Sequence, residues 1–215
     1  MAVIDAWNAL DEPWRAALEE AWASWCAGSA GVGAVVVDRE GVIVAHGRNR
    51  RHDPRVVEGV LAGTPIAHAE MCAIAALPPG SRDGFTLYTT FEPCLMCVGA
   101  IMISHIPRVR YAAADPVFAG MHDWFAGLAY AADRIPEREY LGGPIGAFAH
   151  VLHVSWIAFW LPGANALEPH RALAPDHLSL AVDIGSAGLL TSVVDAGGSV
   201  FDAIATLWPQ LEALA

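Results

Sequence analysis

The sequence predicts an α/β protein in which helices cover a β-sheet with a parallel portion, followed by a helical C-terminal extension. Two observations support this fold class. β-Branched runs alternate with segments of helical periodicity through the first half of the chain, and such an order is typical of parallel strands joined by helices. More than half of the 215 residues are apolar, so the chain can bury a sizeable core as one domain with an extension.

The first part of the chain is predicted to form an amphipathic helix and a β-hairpin. Large apolar side chains recur at helical spacing from Trp14 to Trp25, and Gly28 follows them. Two β-branched runs, Val32 to Asp38 and Val42 to His46, are separated by a short turn that contains glycine. Residues 47–67 are rich in glycine, proline and polar side chains, which indicates a loop.

The middle of the chain is predicted to alternate helix, strand, helix and strand. His68 to Leu77 forms a helix that prolines stop, and Phe85 to Thr90 forms a strand. Cys94 to Ser104 forms the next helix, and Val109 to Ala113 forms the strand after it. Two strands joined by one helix in this way are expected to lie parallel.

The second half of the chain has weaker patterns. Ala114 to Asp123 is predicted to be a loop and Trp124 to Tyr130 a short helix, while Arg134 to Gly146 has the composition of a linker or surface excursion. Phe148 to Phe159 is either a last strand or a buried helix, because periodicity does not distinguish the two for a short apolar run. Leu178 to Ala215 is predicted to contain two helices.

Charge and cysteine content favour some classes of function over others. The formal net charge is −11 and all 12 basic residues are arginine, so the chain lacks the basic balance that nucleic-acid binding usually needs. The four cysteines do not suggest a disulfide framework. The N-terminal residues carry no positive leader and the most apolar run, Ala147 to Leu161, is short for a bilayer span. We therefore expect a cytoplasmic protein with neither a membrane nor a nucleic acid as partner.

Three side chains have the composition and spacing of a zinc site. His68 opens one predicted helix, and Cys94 and Cys97 lie three residues apart at the start of another. One imidazole and two thiolates can hold Zn²⁺ and leave the fourth tetrahedral position for water. Helix N-termini also favour the thiolate form of cysteine. Glu70 points away from the His68 side of its helix, so it is free to act as a general acid and base.

A structural zinc site is the alternative interpretation. Such sites are normally closed by four protein ligands, and Cys72, one turn after His68, is the obvious fourth candidate. A free cysteine on an apolar helix face is more often simply buried. The isolated histidines His105, His150, His153 and His170 are expected to be packing or surface residues.

The stretch from Thr86 to Ile101, together with His68 and Glu70, resembles the cytidine and deoxycytidylate deaminase superfamily. The closest likeness is to the branch that holds tRNA adenosine deaminases, guanine deaminases and fungal cytosine deaminase. The resemblance begins near the hairpin and ends at about Asp115. It implies a three-layer α/β/α fold with a five-stranded mixed sheet and helices on both faces, one zinc ion per chain, and a homodimer.

The resemblance also implies positions for substrate contacts. The family's base-contacting asparagine falls on Asn49, and an acidic residue near the substrate falls on Asp115. Phe91 is placed to stack on a base, and Ala69 completes this predicted set. The alternatives are a loop cap for Asn49, a turn for Asp115 and core packing for Phe91.

These observations predict a zinc-dependent hydrolytic deaminase of a small free nucleobase or nucleoside. We expect residues 1–160 to form the deaminase domain and residues 161–215 a C-terminal helical extension. One alternative is a tRNA adenosine deaminase, since four arginines precede the metal site: Arg48, Arg50, Arg51 and Arg55. The other is a catalytically silent, zinc-stabilised interaction module, which would have no need of Glu70.

Overall fold

The computed structural model describes residues 2–53, 58–131 and 133–215, without the side chain of His122. Arg55, one of the four arginines noted above, lies outside these residues. The five strands of the described chain are β1 Gly33–Val37, β2 Ile43–Arg48, β3 Thr86–Phe91, β4 Arg108–Ala113 and β5 Glu137–Tyr140. Its ten α-helices are α1 Val3–Ala9, α2 Glu12–Cys26, α3 Ala69–Ala75, α4 Leu95–Ile103, α5 Met121–Ala126, α6 Gly143–Trp160, α7 Leu167–Leu173, α8 Pro175–Ala187, α9 Leu189–Asp195 and α10 Val200–Leu214.

The strands form one mixed sheet in the order β2-β1-β3-β4-β5. The predicted hairpin is confirmed, because β1 pairs antiparallel with β2. β1 also pairs antiparallel with β3. The predicted parallel portion is confirmed too, since β3 pairs parallel with β4, and β4 with β5. All five residues of β1 are buried, as expected for a strand inside a sheet that is covered on both faces.

Two glycines show how closely helices approach the two faces. A Cβ on Gly33 would lie 2.1 Å from the carbonyl oxygen of Ala17 in α2, and a Cβ on Gly47 would lie 2.2 Å from that of Ala69 in α3. Gly33 pairs with Arg48, the neighbour of Gly47. Because consecutive strand residues point to opposite faces, α2 and α3 lie on opposite faces of the sheet. The predicted three-layer α/β/α fold is therefore confirmed.

The prediction of a linker between Arg134 and Gly146 is wrong. Glu137–Tyr140 is the edge strand β5, and the segment then enters α6 at Gly143. β5 is mostly exposed and charged, so it has no hydrophobic alternation to indicate a strand. It forms because its backbone pairs with β4, which does not require apolar side chains.

The C-terminal part is more helical than the sequence suggested. Phe148 to Phe159 lies within α6, so of the two alternatives the buried helix is correct. The region from Leu178 onward holds three helices rather than two, of which α8 begins slightly earlier, and the predicted helix from Trp124 is displaced to Met121–Ala126. Large side chains of α6, α8 and α10 share one buried hydrophobic cluster with the sheet.

Membrane-spanning character is weak in the described chain. No single helix there is long and apolar enough to cross a bilayer, and only α8 taken with α9, across a bend of 51°, passes a test of length and composition.

Candidate metal centre and active site

Two helix N-termini meet at the end of the sheet where β3 ends. His68 is the N-cap residue of α3 and Cys94 is the N-cap residue of α4, and both have extended backbone angles. Cys97 follows in the first turn of α4 and is fully buried. The chain therefore delivers its three predicted ligands from the two positions where orphan N–H groups and the helix dipole favour negative charge.

The three ligand atoms form a triangle with sides of nearly equal length, here called the metal triangle. Cys94 Sγ lies 3.5 Å from His68 Nδ1 and 3.5 Å from Cys97 Sγ, and Cys97 Sγ lies 3.6 Å from His68 Nδ1. Tetrahedral zinc with ordinary bond lengths needs about 3.6 Å between sulfur and nitrogen and about 3.8 Å between two sulfurs. The side chains are thus already spaced to hold one zinc ion.

Cys72 does not belong to the metal triangle. Among the described residues, the group of side chains close enough to share a metal ion consists of His68, Cys94 and Cys97. Cys72 Sγ instead contacts the carbonyl oxygen of Leu61 at 3.4 Å, and burial raises the pKa of its thiol to about 11. The structure therefore favours a site with three protein ligands over a closed structural site.

The two thiols of the metal triangle differ in pKa. The hydrogen bond with Cys97, opposed by burial and aided by His68, lowers the pKa of Cys94 to about 4. The same bond and burial raise the pKa of Cys97. The pair thus holds one thiolate at neutral pH, and zinc binding must displace the remaining thiol proton.

Glu70 lies beside the metal triangle and is 3% exposed. Its Oε2 atom is 3.5 Å from Cys97 Sγ. Burial, with a smaller contribution from the negative charge of Cys94, raises the pKa of Glu70 to about 7. A carboxyl group with that pKa can both take and return a proton near neutral pH, as a general acid–base residue must.

A cavity of about 400 Å³ opens onto this centre. Three of the four predicted substrate contacts, Asn49, Phe91 and Asp115, line it together with His68, Glu70 and Cys94. Ala69 is fully buried instead, with its carbonyl oxygen against Gly47. The cavity has a size in the usual range for small-molecule sites.

Local hydrogen bonds hold the side chains of Asn49 and Asp115. Asn49 Oδ1 accepts a bond from the backbone N–H of Arg51 at 3.1 Å. Asp115 Oδ1 accepts one from the N–H of Val117 at 2.9 Å. The Asp115 N–H donates to Glu92 Oε2 at 2.9 Å, and Glu92 is itself paired with Arg138 of β5. Both residues therefore have the turn or cap role given above as the alternative, and both also face the cavity.

The family described as "Cytidine and deoxycytidylate deaminase zinc-binding region" matches residues 9–113. A tRNA-specific adenosine deaminase of Aquifex aeolicus is 34% identical over 111 residues, which cover 50% of this chain and 68% of that protein. This chain belongs to the cytidine and deoxycytidylate deaminase family. The metal triangle is therefore the zinc site of a deaminase fold, with one zinc ion per chain.

The residues aligned with these relatives cover only part of this chain and only part of each relative. The tRNA-specific adenosine deaminase of Bacillus subtilis is 37% identical over 106 residues, and the match covers 47% of this chain and 60% of that protein. The chain thus spans about three fifths of the length of that relative. The family match ends at residue 113, before the last six described α-helices, α5 to α10.

Solved structures extend the likeness in fold. A mutant of the protein NE0047 in complex with 8-azaguanine has a TM-score of 0.51 and 25% identity, covering 69% of this chain and 86% of that one. NE0047 in complex with 2,6-diaminopurine has the same TM-score with 23% identity, covering 73% and 88% of the two chains. The second likeness supports the deaminase fold alone.

The wall of the cavity opposite the shared family region comes from α6 and α7 of the deaminase chain. Four histidines of α6, α7 and α8 lie close together next to this wall, His150, His153, His170 and His177, here called the histidine cluster. His150 Nε2 and His170 Nδ1 are 2.9 Å apart, and the His150 and His177 rings lie 4.6 Å apart. His153 and His170 line the cavity. Sequence reasoning missed these two as site residues, since each is isolated in the sequence and no motif joins them.

Proposed function

We propose that this protein is a hydrolytic deaminase of a small free nucleobase or nucleoside, which releases ammonia. The observation that carries the proposal is the buried carboxyl group of Glu70, which faces the cavity next to the metal triangle. A purely structural zinc site does not need a proton carrier in that place. The same observation argues against the silent interaction module.

In this reaction Glu70 transfers protons, and Asn49 and Asp115 bind the substrate. Zinc, when bound by the metal triangle, supplies a Lewis acid that brings the pKa of water toward about 7. Glu70 takes a proton from the attacking water and returns it to the ring nitrogen of the base. Glu70 then carries the remaining proton of the added hydroxyl group to the amino group, which leaves as ammonia while the ring carbon keeps the oxygen as an oxo group. The amide of Asn49 and the carboxyl group of Asp115 are placed to hold the polar edges of the base.

The enclosure of the cavity supports a small substrate. Side chains of α6, of the segment after it and of α7 complete its wall, among them Trp156, Ile157, Leu161 and His170. The net charge of −11 also opposes binding of a polyanion. The neighbour crystallised with 8-azaguanine binds a free purine base, and it supports the same class of substrate here.

Deamination of adenosine in tRNA is the second candidate. The Bacillus and Aquifex relatives are both tRNA-specific adenosine deaminases. Arg51, which is exposed, lines the cavity and could meet a phosphate group. Two other arginines are already paired, because Arg48 and Arg50 both contact Asp53. The residues that line the cavity therefore support a free base better than the arginines support a phosphate backbone.

An ammonia-release screen tests the proposal. Zinc-loaded protein is offered free bases, nucleosides, nucleotides and tRNA, and we expect turnover of at least one base or nucleoside. Glu70→Ala should lower that rate by about 10²- to 10⁴-fold, the contribution typical of general acid–base catalysis, while zinc content and circular dichroism stay unchanged. Turnover of tRNA alone, with tight and salt-sensitive binding, would favour the second candidate. Equal rates for wild type and Glu70→Ala would refute the role of Glu70.

Assembly, location and domain division stay predictions. We expect a cytoplasmic homodimer, with residues 1–160 as the deaminase domain and 161–215 as its extension. Analytical ultracentrifugation of the zinc-loaded protein tests the oligomeric state.

A further inference from the structure

Two buried ring nitrogens of the histidine cluster have no hydrogen-bond partner among the described residues. These atoms are His153 Nδ1 and His170 Nε2. His170 is 1% exposed, so bulk water does not satisfy its ring. A buried polar group that lacks a partner destabilises the folded state. Both residues line the cavity, so a molecule bound against their rings can supply the missing partner.

The ring of His170 is held in a fixed orientation. Its Nδ1 atom is engaged by His150 Nε2 at 2.9 Å, which leaves Nε2 as the open nitrogen. Burial lowers the pKa of His170 to about 4 and, together with His177 and His170, that of His150 to about 2. Both imidazoles are therefore neutral near pH 7. A neutral imidazole offers one N–H and one acceptor nitrogen, so Nε2 can make one hydrogen bond, as donor or acceptor according to the tautomer.

The open nitrogen lies next to the acidic residue of the site. His170 Nε2 is 3.9 Å from Asp115 Oδ1, which is too long for a hydrogen bond between them. Phe91 packs against the same group, with ring centroids 4.4 Å from His153 and 6.4 Å from His170. Asp115 and His170 thus present two adjacent polar atoms beside a flat aromatic surface, as suits the edge and face of a heterocyclic base.

We propose that His170 is a specificity-determining residue of this deaminase, which reads a polar edge of the substrate through Nε2 beside Asp115. His153 Nδ1 contributes a second contact from the same wall. The inference rests on the proposed function and narrows its substrate class. It favours a base that carries a further hydrogen-bonding group, such as a ring oxo group, besides the amino group that is lost.

Binding measurements test this with two probes of similar shape. 8-Azaguanine carries both an oxo and an amino group, whereas 2-aminopurine lacks the oxo group. Dissociation constants are measured by calorimetry on zinc-loaded wild type, His170→Ala, His170→Gln and His177→Ala. The glutamine variant returns a hydrogen-bonding atom near the Nε2 position. His177 is the matched control, since it belongs to the same cluster but is not among the residues that line the cavity.

We expect His170→Ala to weaken 8-azaguanine binding at least tenfold, as the loss of a buried hydrogen bond predicts. His170→Gln and His177→Ala should stay within about threefold of wild type, and 2-aminopurine binding should change little in any variant. For a base that the wild type deaminates, His170→Ala should raise KM more than it lowers kcat.

Three outcomes would overturn the inference. The first is wild-type protein that binds 8-azaguanine no more tightly than His170→Ala does. The second is an equal loss in His177→Ala, and the third is a His170→Gln variant as weak as His170→Ala, since both results indicate a packing role. Failure of the proposed function is separate: it appears as absence of ammonia release from every base and nucleoside, even if the binding contrast at His170 holds.

Discussion

Residues of the metal triangle and of the histidine cluster line the same cavity, but the two groups satisfy their buried polar atoms in different ways. In the metal triangle each ligand atom lies within 3.6 Å of the other two. In the histidine cluster one pair of rings is bonded, and two ring nitrogens are left without a partner among the described residues. The comparison indicates that the first region is built for one small ion, and that the second is completed by whatever occupies the cavity.

The two regions also differ in how they are supported. The metal triangle depends on two helix starts next to the sheet, so its geometry is set within short stretches of chain. The histidine cluster joins α6, α7 and α8, which reach the cavity only through the packing of the C-terminal helices. Substitutions in the metal triangle should therefore change zinc content. Substitutions in the histidine cluster should change ligand binding and the pH dependence of stability.

The largest expected effect is loss of the metal. Cys97→Ser replaces a buried thiolate ligand, so zinc content after dialysis should fall from about one ion per chain to almost none, with loss of any ammonia release. Cys72→Ser is the matched control, because that thiol lies outside the metal triangle, and it should keep the ion. Atomic absorption measures both. A zinc-free Cys72→Ser protein with native circular dichroism would restore the idea of a fourth ligand.

A smaller effect should appear in the pH dependence of stability. Burial lowers the pKa of His150 to about 2 from an ordinary value of 6.5, so the unfolded state binds a proton below pH 6.5 that the folded state does not. Stability contributed by this residue is present above pH 6.5 and is lost as the pH falls. At pH 5 the loss is on the order of 2 kcal/mol, since one pKa unit corresponds to about 1.4 kcal/mol.

Urea unfolding of chelator-treated protein at pH 7.5 and pH 5 measures this effect. The raised pKa values of Glu70 and Asp115 act in the opposite direction, because those carboxyl groups keep protons in the folded state. The comparison is therefore made between wild type and His150→Gln, which cannot be protonated. The variant should lose less stability than wild type between the two pH values. An equal or greater loss would show that His150 is not held neutral by the fold.

The smallest effect concerns the close contact between Gly47 and α3, the helix that begins after His68. A Cβ on Gly47 would lie 2.2 Å from the carbonyl oxygen of Ala69 and 2.4 Å from the backbone nitrogen of Ala73, so Gly47→Ala must displace α3. We expect destabilisation of about 1–3 kcal/mol and weaker zinc binding. Gly99→Ala, in α4, meets nothing within 4 Å and should stabilise the protein by up to about 1 kcal/mol. Thermal unfolding of both variants measures the contrast, and equal melting temperatures would contradict it.

The sequence by itself determined the residues of the metal triangle, the position of Glu70, the β1–β2 hairpin and the parallel portion of the sheet, whereas the five-stranded mixed sheet was implied by the family resemblance. These features come from local patterns, because two cysteines three residues apart at a helix start, or a β-branched run between turns, act over a few residues. The cap and turn roles of Asn49 and Asp115 were also anticipated as alternatives.

Only the tertiary structure decided the remainder. β5 forms by backbone pairing at a sheet edge, so its charged sequence gave no signal. The helical state of α6 depended on what it packs against, since a short apolar run suits a strand or a buried helix equally. His153 and His170 are far from the zinc ligands in sequence, and they reach the cavity because α6 and α7 pack beside the metal triangle. Long-range packing of this kind has no periodicity that a single sequence can display.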